Sequence, residues 1–221
     1  MLKQKPIRLT AQRREVRSDE SRAKILAAAE RAFAGEGFAG ARTDAIAAEA
    51  GVNKALLYYY YKSKEQLYEA VLEEQLREFN DRALAVLTAP GAARVLLLDY
   101  LQLHFDFISE RRLHAALFQQ LMMKGGKGPE RLFRKYIAPR GEALRNLLAR
   151  GMRSGEFRKV DPFHTAISIV ALVVFYFSAA PMFELMGYSD PYAANSLKLR
   201  KQQVLDLVRH GLFVDTGIPE I

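Results

Sequence analysis

The 221-residue sequence contains no cysteine. That excludes a disulfide framework, a thiol nucleophile and Cys-ligated zinc. There is no Gly-rich phosphate loop, no Gly-x-Ser-x-Gly elbow and no cluster of His with carboxylates. The signatures that position phosphates, nucleophiles or metals are thus missing, and the expectation is no catalytic residue, no metal, no cofactor and no enzymatic activity. His104 and His114 lie too far apart for the i,i+4 pair of a helical metal site. The basic N-terminus is not followed by an apolar run of signal-peptide length, so the expected location is the cytoplasm. Only Thr165 to Phe183 is free of charge long enough to approach a membrane span. It contains Thr165, Ser168, Ser178 and Pro181 and stands alone, so it reads as a buried helix of a soluble bundle, with no membrane partner.

Sustained strand alternation is also missing, and apolar residues recur at helical spacing instead. Half of the residues are hydrophobic, which is a globular composition. The formal net charge of +8 points, weakly, to an anionic partner such as nucleic acid. Gly and Pro punctuate the chain at Gly35 and Gly37, Gly51, Pro90 and Gly91, Gly125 to Pro129, Gly155, Pro162 and Gly187 to Pro191. The pattern predicts an all-α chain of about nine helices.

Residues 1–17 hold Lys3, Lys5, Arg8, Arg13, Arg14 and Arg17 against one acid, Glu15. They read as a flexible basic arm. An arm that follows phosphates and a solvated tail fit equally well. Ser18 is the expected N-cap of the first helix, with Asp19 and Glu20 in its first turn. Ile25, Ala29, Ala32 and Phe33 share one face of it, Gly35 and Gly37 end it, and Phe38 folds back on the same core.

Next comes a short segment with Thr43 as expected N-cap, Asp44 in the first turn, and Ile46, Ala47 and Ala50 on a buried face. Gly51 supplies a sharp turn and Val52 plugs the core beneath it. Asn53 caps a second short helix from Lys54 to about Tyr61. Two short helices about a glycine turn form a helix-turn-helix, whose second helix enters the DNA major groove. Lys54 sits at the positive end of that helix, where a phosphate or a guanine edge would offset the unfavourable charge. Residues 58 to 61 are all tyrosine. They span about 300° of a helix with 3.6 residues per turn, so they cannot all be buried. Leu57 and Tyr61 can share the core, which leaves Tyr58, Tyr59 and Tyr60 largely exposed. A tyrosine run alone more often holds a small core together. The preceding turn and the flanking lysines favour DNA contact here. Ser63 to Gln66 reads as a capping box that puts Lys64 at a helix N-terminus, a seat for phosphate.

With these residues in place, the stretch TDAIAAEAGVNKALLYYYYKSKEQL, Thr43 to Leu67, resembles the TetR family of transcriptional regulators. The likeness extends over about residues 18–72. It implies a helix-turn-helix DNA-binding domain at 18–65 and a helical ligand-binding and dimerisation domain at 66–221. The partners it implies are double-stranded operator DNA, a second copy of the chain and a small-molecule effector that releases a repressor from a palindromic operator. An effector-free DNA-binding protein acting through a protein partner is the alternative. By position in the motif, Thr43, Tyr58, Tyr60 and Lys64 are phosphate-positioning candidates, and Lys54, Ala55, Leu56 and Tyr59 are base-facing candidates. The sequence departs from the family at Ala55, often Gly, at Leu56, often a small or hydroxyl residue, and at Lys62, often Pro. Base preference is therefore open.

In the C-terminal part, helices are expected at about 64–87, 92–109, 112–123, 129–154 with a kink at Pro139, 162–186 and 190–213. Candidate effector contacts are His104, Phe105, Phe118, Met122, Tyr136, Phe163, His164 and Phe177, with Phe107 and Tyr176 beside them. Ordinary core is the more frequent role for each. Arg112, Arg134, Arg140 and Arg145 are candidates for an acidic ligand. The last two long helices are the expected dimer surface.

Overall fold

The structure is a computed structural model that describes residues 7–111, 127–188 and 190–214, with side chains from Ser18 onward except those of 127–129 and 184. The chain divides into two compact units, Met1–Glu74 and Gln75–Ile221. The division falls inside a continuous helix, nine residues beyond the expected boundary at 65/66.

The first unit holds α1 (Ile7–Gly40), α2 (Thr43–Glu49), α3 (Lys54–Tyr60) and the start of α4 (Lys64–Leu87). The expected flexible arm and Ser18 cap are corrected. The helix begins at Ile7 and carries through Ser18. The segment IRLTAQRREVR contains neither Gly nor Pro and is rich in Arg, a good helix former. The helical path breaks at Gly37, which adopts φ 69°, ψ 175°. Ile25, Ala28, Ala29 and Phe33 of α1 are buried with Ile46 and Ala47 of α2, Leu57 of α3 and Leu67, Tyr68 and Val71 of α4. Phe38 folds back as expected, stacking on Phe33 at 6.0 Å and meeting the edge of Tyr68 at 5.1 Å.

The second unit holds the rest of α4, α5 (Ala93–Glu110), α6 (Lys127–Leu132), a π-helical turn (Phe133–Ile137), α7 (Ala138–Arg153), α8 (Pro162–Ser178), α9 (Ala180–Leu185) and α10 (Ala194–Leu212). The expected helix at 112–123 lies outside the described residues. Pro139 falls at the start of α7, directly after the π turn. The wider turn accommodates the missing N–H at that point. The expected helix over 162–186 divides at Ala179. Pro181 has no N–H to give the carbonyl of Phe177, so the helix cannot continue unbroken. Asp161 caps α8 by accepting from the His164 N–H at 2.8 Å. No described helix is long and apolar enough to cross a membrane.

The core of this unit runs from Phe79, Ala83 and Leu87 of α4 through Leu97, Tyr100, Leu101, Phe105 and Ile108 of α5. It continues through Leu144 and Leu148 of α7, Ile169, Val173 and Phe177 of α8, and Val204 and Val208 of α10. The one β-like contact among the described residues pairs Phe157 with Phe213, whose rings stack at 5.4 Å. The loop carrying Phe157 also caps α5 from a distance. Ala92 offers that helix no side-chain cap, and the Glu156 carboxylate instead accepts from the Arg94 N–H at 3.0 Å. Burial pushes the Glu156 carboxyl up. The N–H groups of Arg94 and Ala93, the Ser154 hydroxyl and the Arg94 guanidinium outweigh that and hold it below its ordinary value.

Candidate nucleic-acid interface

The turn between α2 and α3 follows the sequence closely. Gly51 takes φ +67°, a conformation that costs glycine little. The Asn53 side chain accepts from the Leu56 N–H at 2.7 Å and caps α3. Val52 is half-buried beneath the turn. Thr43 is corrected as a cap, because α2 starts on it and the N-cap position falls to Arg42 with no side-chain bond. The Thr43 hydroxyl instead shares a hydrogen bond with the Tyr58 hydroxyl at 3.2 Å.

The four tyrosines divide largely as helical geometry requires. Tyr61 is buried with Leu57, whereas Tyr58 and Tyr59 are 36% and 70% exposed. Tyr60 is more enclosed than expected. It is half-buried, and its hydroxyl bonds the Ser18 hydroxyl at 2.9 Å, which ties α3 to α1. Lys54 and Ala55 are exposed on the same helix and Leu56 is half-buried.

Two lysines differ from expectation. Lys54 pairs with Asp44 of α2 at 2.7 Å, so a carboxylate of the chain itself offsets the charge at the helix start. The hydrogen bond and the attraction between them push the Lys54 ammonium up and the Asp44 carboxyl down from their ordinary values. Lys64 is half-buried, gives its ammonium to the Ala39 carbonyl at 3.2 Å and lies 4.9 Å over the Phe38 ring. It is thus tied to the end of α1. The capping box at α4 is modified too: Ser63 accepts from the Gln66 N–H, but Gln66 returns its bond to the Lys62 N–H and not to Ser63. Arg42, exposed between Thr43 and the core residue Ala41, adds a cation that sequence reasoning passed over. Its field reaches both Asp44 and Lys54. Its place directly before the helix start was the available signal.

His104, Phe105, Tyr136 and Phe177 are buried, His104 beside the Phe79 ring and Phe105 beside Phe177. Phe118 and Met122 lie outside the described residues. Phe163 is 52% exposed and lines a cavity of about 690 Å³ between the start of α7 and one face of α8. His164, one residue on, faces a separate cavity of about 310 Å³ with Arg158, Asp161 and Gly211. Tyr100, Phe133, Ile137 and Arg140 line the larger cavity. Of these four, only Arg140 was named from the sequence.

Comparison with known proteins agrees with this arrangement in both units. Residues 25–71 match the family described as bacterial regulatory proteins, tetR family, and residues 97–208 match the tetracyclin repressor-like C-terminal domain. The chain is 30% identical over 178 residues to the transcriptional repressor NicS of Pseudomonas putida, covering 74% of this chain and 78% of that protein. It is 32% identical over 185 residues to the transcriptional regulator RutR of Escherichia coli, covering 80% and 83%. Among solved structures, a transcriptional regulator from Saccharomonospora viridis in complex with choline superposes with a TM-score of 0.71 at 21% identity, covering 89% of this chain and 100% of that one. FadR of Bacillus subtilis in complex with stearoyl-CoA gives 0.68 at 20%, covering 84% and 96%. At those identities the structures speak for the fold, and the sequence matches carry the assignment: this chain belongs to the TetR family of bacterial transcriptional regulators.

Proposed function

We propose that this chain is a homodimeric repressor that holds a palindromic operator and is released from it by a small molecule. The observation that carries the reading is the outward face of α3. Lys54, Ala55, Tyr58 and Tyr59 are exposed together on a short helix fixed by the Asn53 cap and the Gly51 turn. In the DNA complex Lys54, Ala55, Leu56 and Tyr59 face bases, and Thr43, Tyr58, Tyr60 and Lys64 position the phosphate backbone. Arg42 joins the phosphate set. Lys54 must exchange Asp44 for DNA, or carry Asp44 with it as an orienting group. Base reading then rests on few polar atoms, since Ala55 and Leu56 supply none.

Dimerisation is assigned to α8 and α10, of which α10 leaves Leu199 and Leu207 exposed. Two such helices from each copy would pack as a four-helix interface. The larger cavity favours an effector over the effector-free alternative. Release then requires that the effector bind the DNA-incompetent state more tightly, with α4, one helix common to both units, as the element that shifts. The test is selection of bound genomic fragments followed by gel shifts across salt concentration. A sequence-preferring, salt-sensitive complex with a symmetric site is expected. Binding that ignores sequence would overturn the proposal.

A further inference from the structure

The larger cavity contains a charge that the protein leaves uncompensated. Arg140 lines it while only 7% exposed. One terminal nitrogen, Nη1, is buried without a hydrogen-bond partner among the described residues. No described carboxylate pairs with this guanidinium. It faces the Tyr100 hydroxyl and lies 4.5 Å over the Phe79 ring. Residues 112–126, the internal segment outside the described residues, contain neither Asp nor Glu. The other arginine of the cavity, Arg145, is engaged with Glu142. A buried cation without a counter-charge is costly, because the interior replaces water poorly around it. Burial indeed pushes the Arg140 guanidinium below its ordinary value. Beyond Arg140, the Arg145–Glu142 pair and Ser178, the lining is largely apolar, with Phe133, Ile137, Phe163, Ile167, Val170 and Phe175. From Phe163 to Ser178 the α8 face that lines the cavity extends about 22 Å at 1.5 Å per residue.

We propose that the effector is an organic monoanion, a carboxylate on an elongated apolar body, whose head group pairs with Arg140. This deepens the proposed effector-released repression and rests on it. A single unpaired positive charge matches a single negative one. The planar guanidinium offers a carboxylate two parallel N–H donors, and the pair gains strength where water is excluded. The apolar body lies along α8 and covers the exposed ring of Phe163.

Binding to the full chain without DNA tests the head group independently of operator recognition. The probes are matched sets of carboxylate, alcohol and amine: dodecanoate, dodecanol and dodecylamine, and the three 2-substituted naphthalenes. The readouts are calorimetry and thermal shift. In at least one set the carboxylate is expected to bind about tenfold or more tighter than its amine. Arg140→Met should abolish that preference while melting no lower than the parent without ligand, since it removes an unpaired buried charge. Arg140→Lys keeps the charge but loses the fork, and should weaken carboxylate binding severalfold, which decides the matter if Arg140→Met fails to fold. Equal binding of carboxylate and amine in both sets overturns the proposal. So does a carboxylate preference that survives either substitution undiminished. Failure of sequence-specific DNA binding would instead strike the repressor reading and leave these affinities untouched.

Discussion

Lys54 in the first unit and Arg140 in the second carry the same formal charge in opposite surroundings. Lys54 is exposed and paired with Asp44. Arg140 is buried, with an aromatic ring and a tyrosine hydroxyl as its company. Solvent screens the first pair, so it adds little to stability and can be exchanged cheaply for another anion. The second charge has lost its solvent and gains much from any anion that reaches it. The first unit therefore offers cations that hand over to a polyanion at a surface. The second keeps one charge enclosed among apolar groups, which suits a small ligand with one charged end.

The comparison can be broken most severely in the shared hydrophobic substrate of each unit. Leu57→Ala removes the buried residue of α3 and should cost about 2–5 kcal/mol, the usual range for a leucine cavity. Chemical denaturation should show the loss, and DNA binding should fail with it. In the second unit, a Cβ on Gly151 would sit 2.2 Å from the Phe157 ring. Gly151→Ala should cost about 1–3 kcal/mol by overpacking, read as a lowered denaturation midpoint with the α3 face unaltered.

A smaller effect is expected at Glu156. Glu156→Gln weakens the remote cap of α5 and should cost about 1–2 kcal/mol at neutral pH. Its carboxyl is held below its ordinary value in the fold. Its contribution is thus complete above the unfolded carboxyl pKa of about 4.3 and fades as pH falls through the folded value. Denaturation of parent and variant across pH should show their difference shrinking in acid. A difference that grows in acid would contradict the assignment.

The smallest stability effects sharpen the contrast at the surface. Asp44→Asn should leave the melting temperature nearly unchanged, because the pair with Lys54 is exposed. It frees Lys54, so operator affinity should rise and fall more steeply with salt. Tyr60→Phe removes the hydroxyl that meets Ser18 and that is proposed to position the DNA backbone. It should weaken binding to all DNA sequences alike in a gel shift. A loss confined to one base position would assign Tyr60 to base reading.

Between the two units, the sequence was legible to different depths. Around α2 and α3 the decisive interactions are short-range: a glycine turn, an Asn53 cap and a helical face that separates Leu57 from Tyr59. Each follows from local geometry, so residue order was enough to read them. That Thr43 partners Tyr58 and does not cap α2, and that Lys64 is held by Ala39 and Phe38, depended on groups brought together across α1, α2, α3 and α4. Around Arg140 the local string APRGEALR reads as a polar, solvated helix start. Its burial comes from Phe79 and Tyr100 on other helices, which no spacing within α7 announces. His104 and Phe163 both read as pocket residues, yet packing put the first in the core and the second on the cavity.

The sequence by itself determined the helical class, the helix-turn-helix with its turn and cap, and the apolar character of the α8 region, because these follow from periodicity and backbone preference. The tertiary structure alone decided which cation is screened and which is enclosed, which face of α8 lines a cavity, and which aromatic rings line it. Those properties depend on desolvation, and desolvation is set by the neighbours that folding supplies from distant parts of the chain.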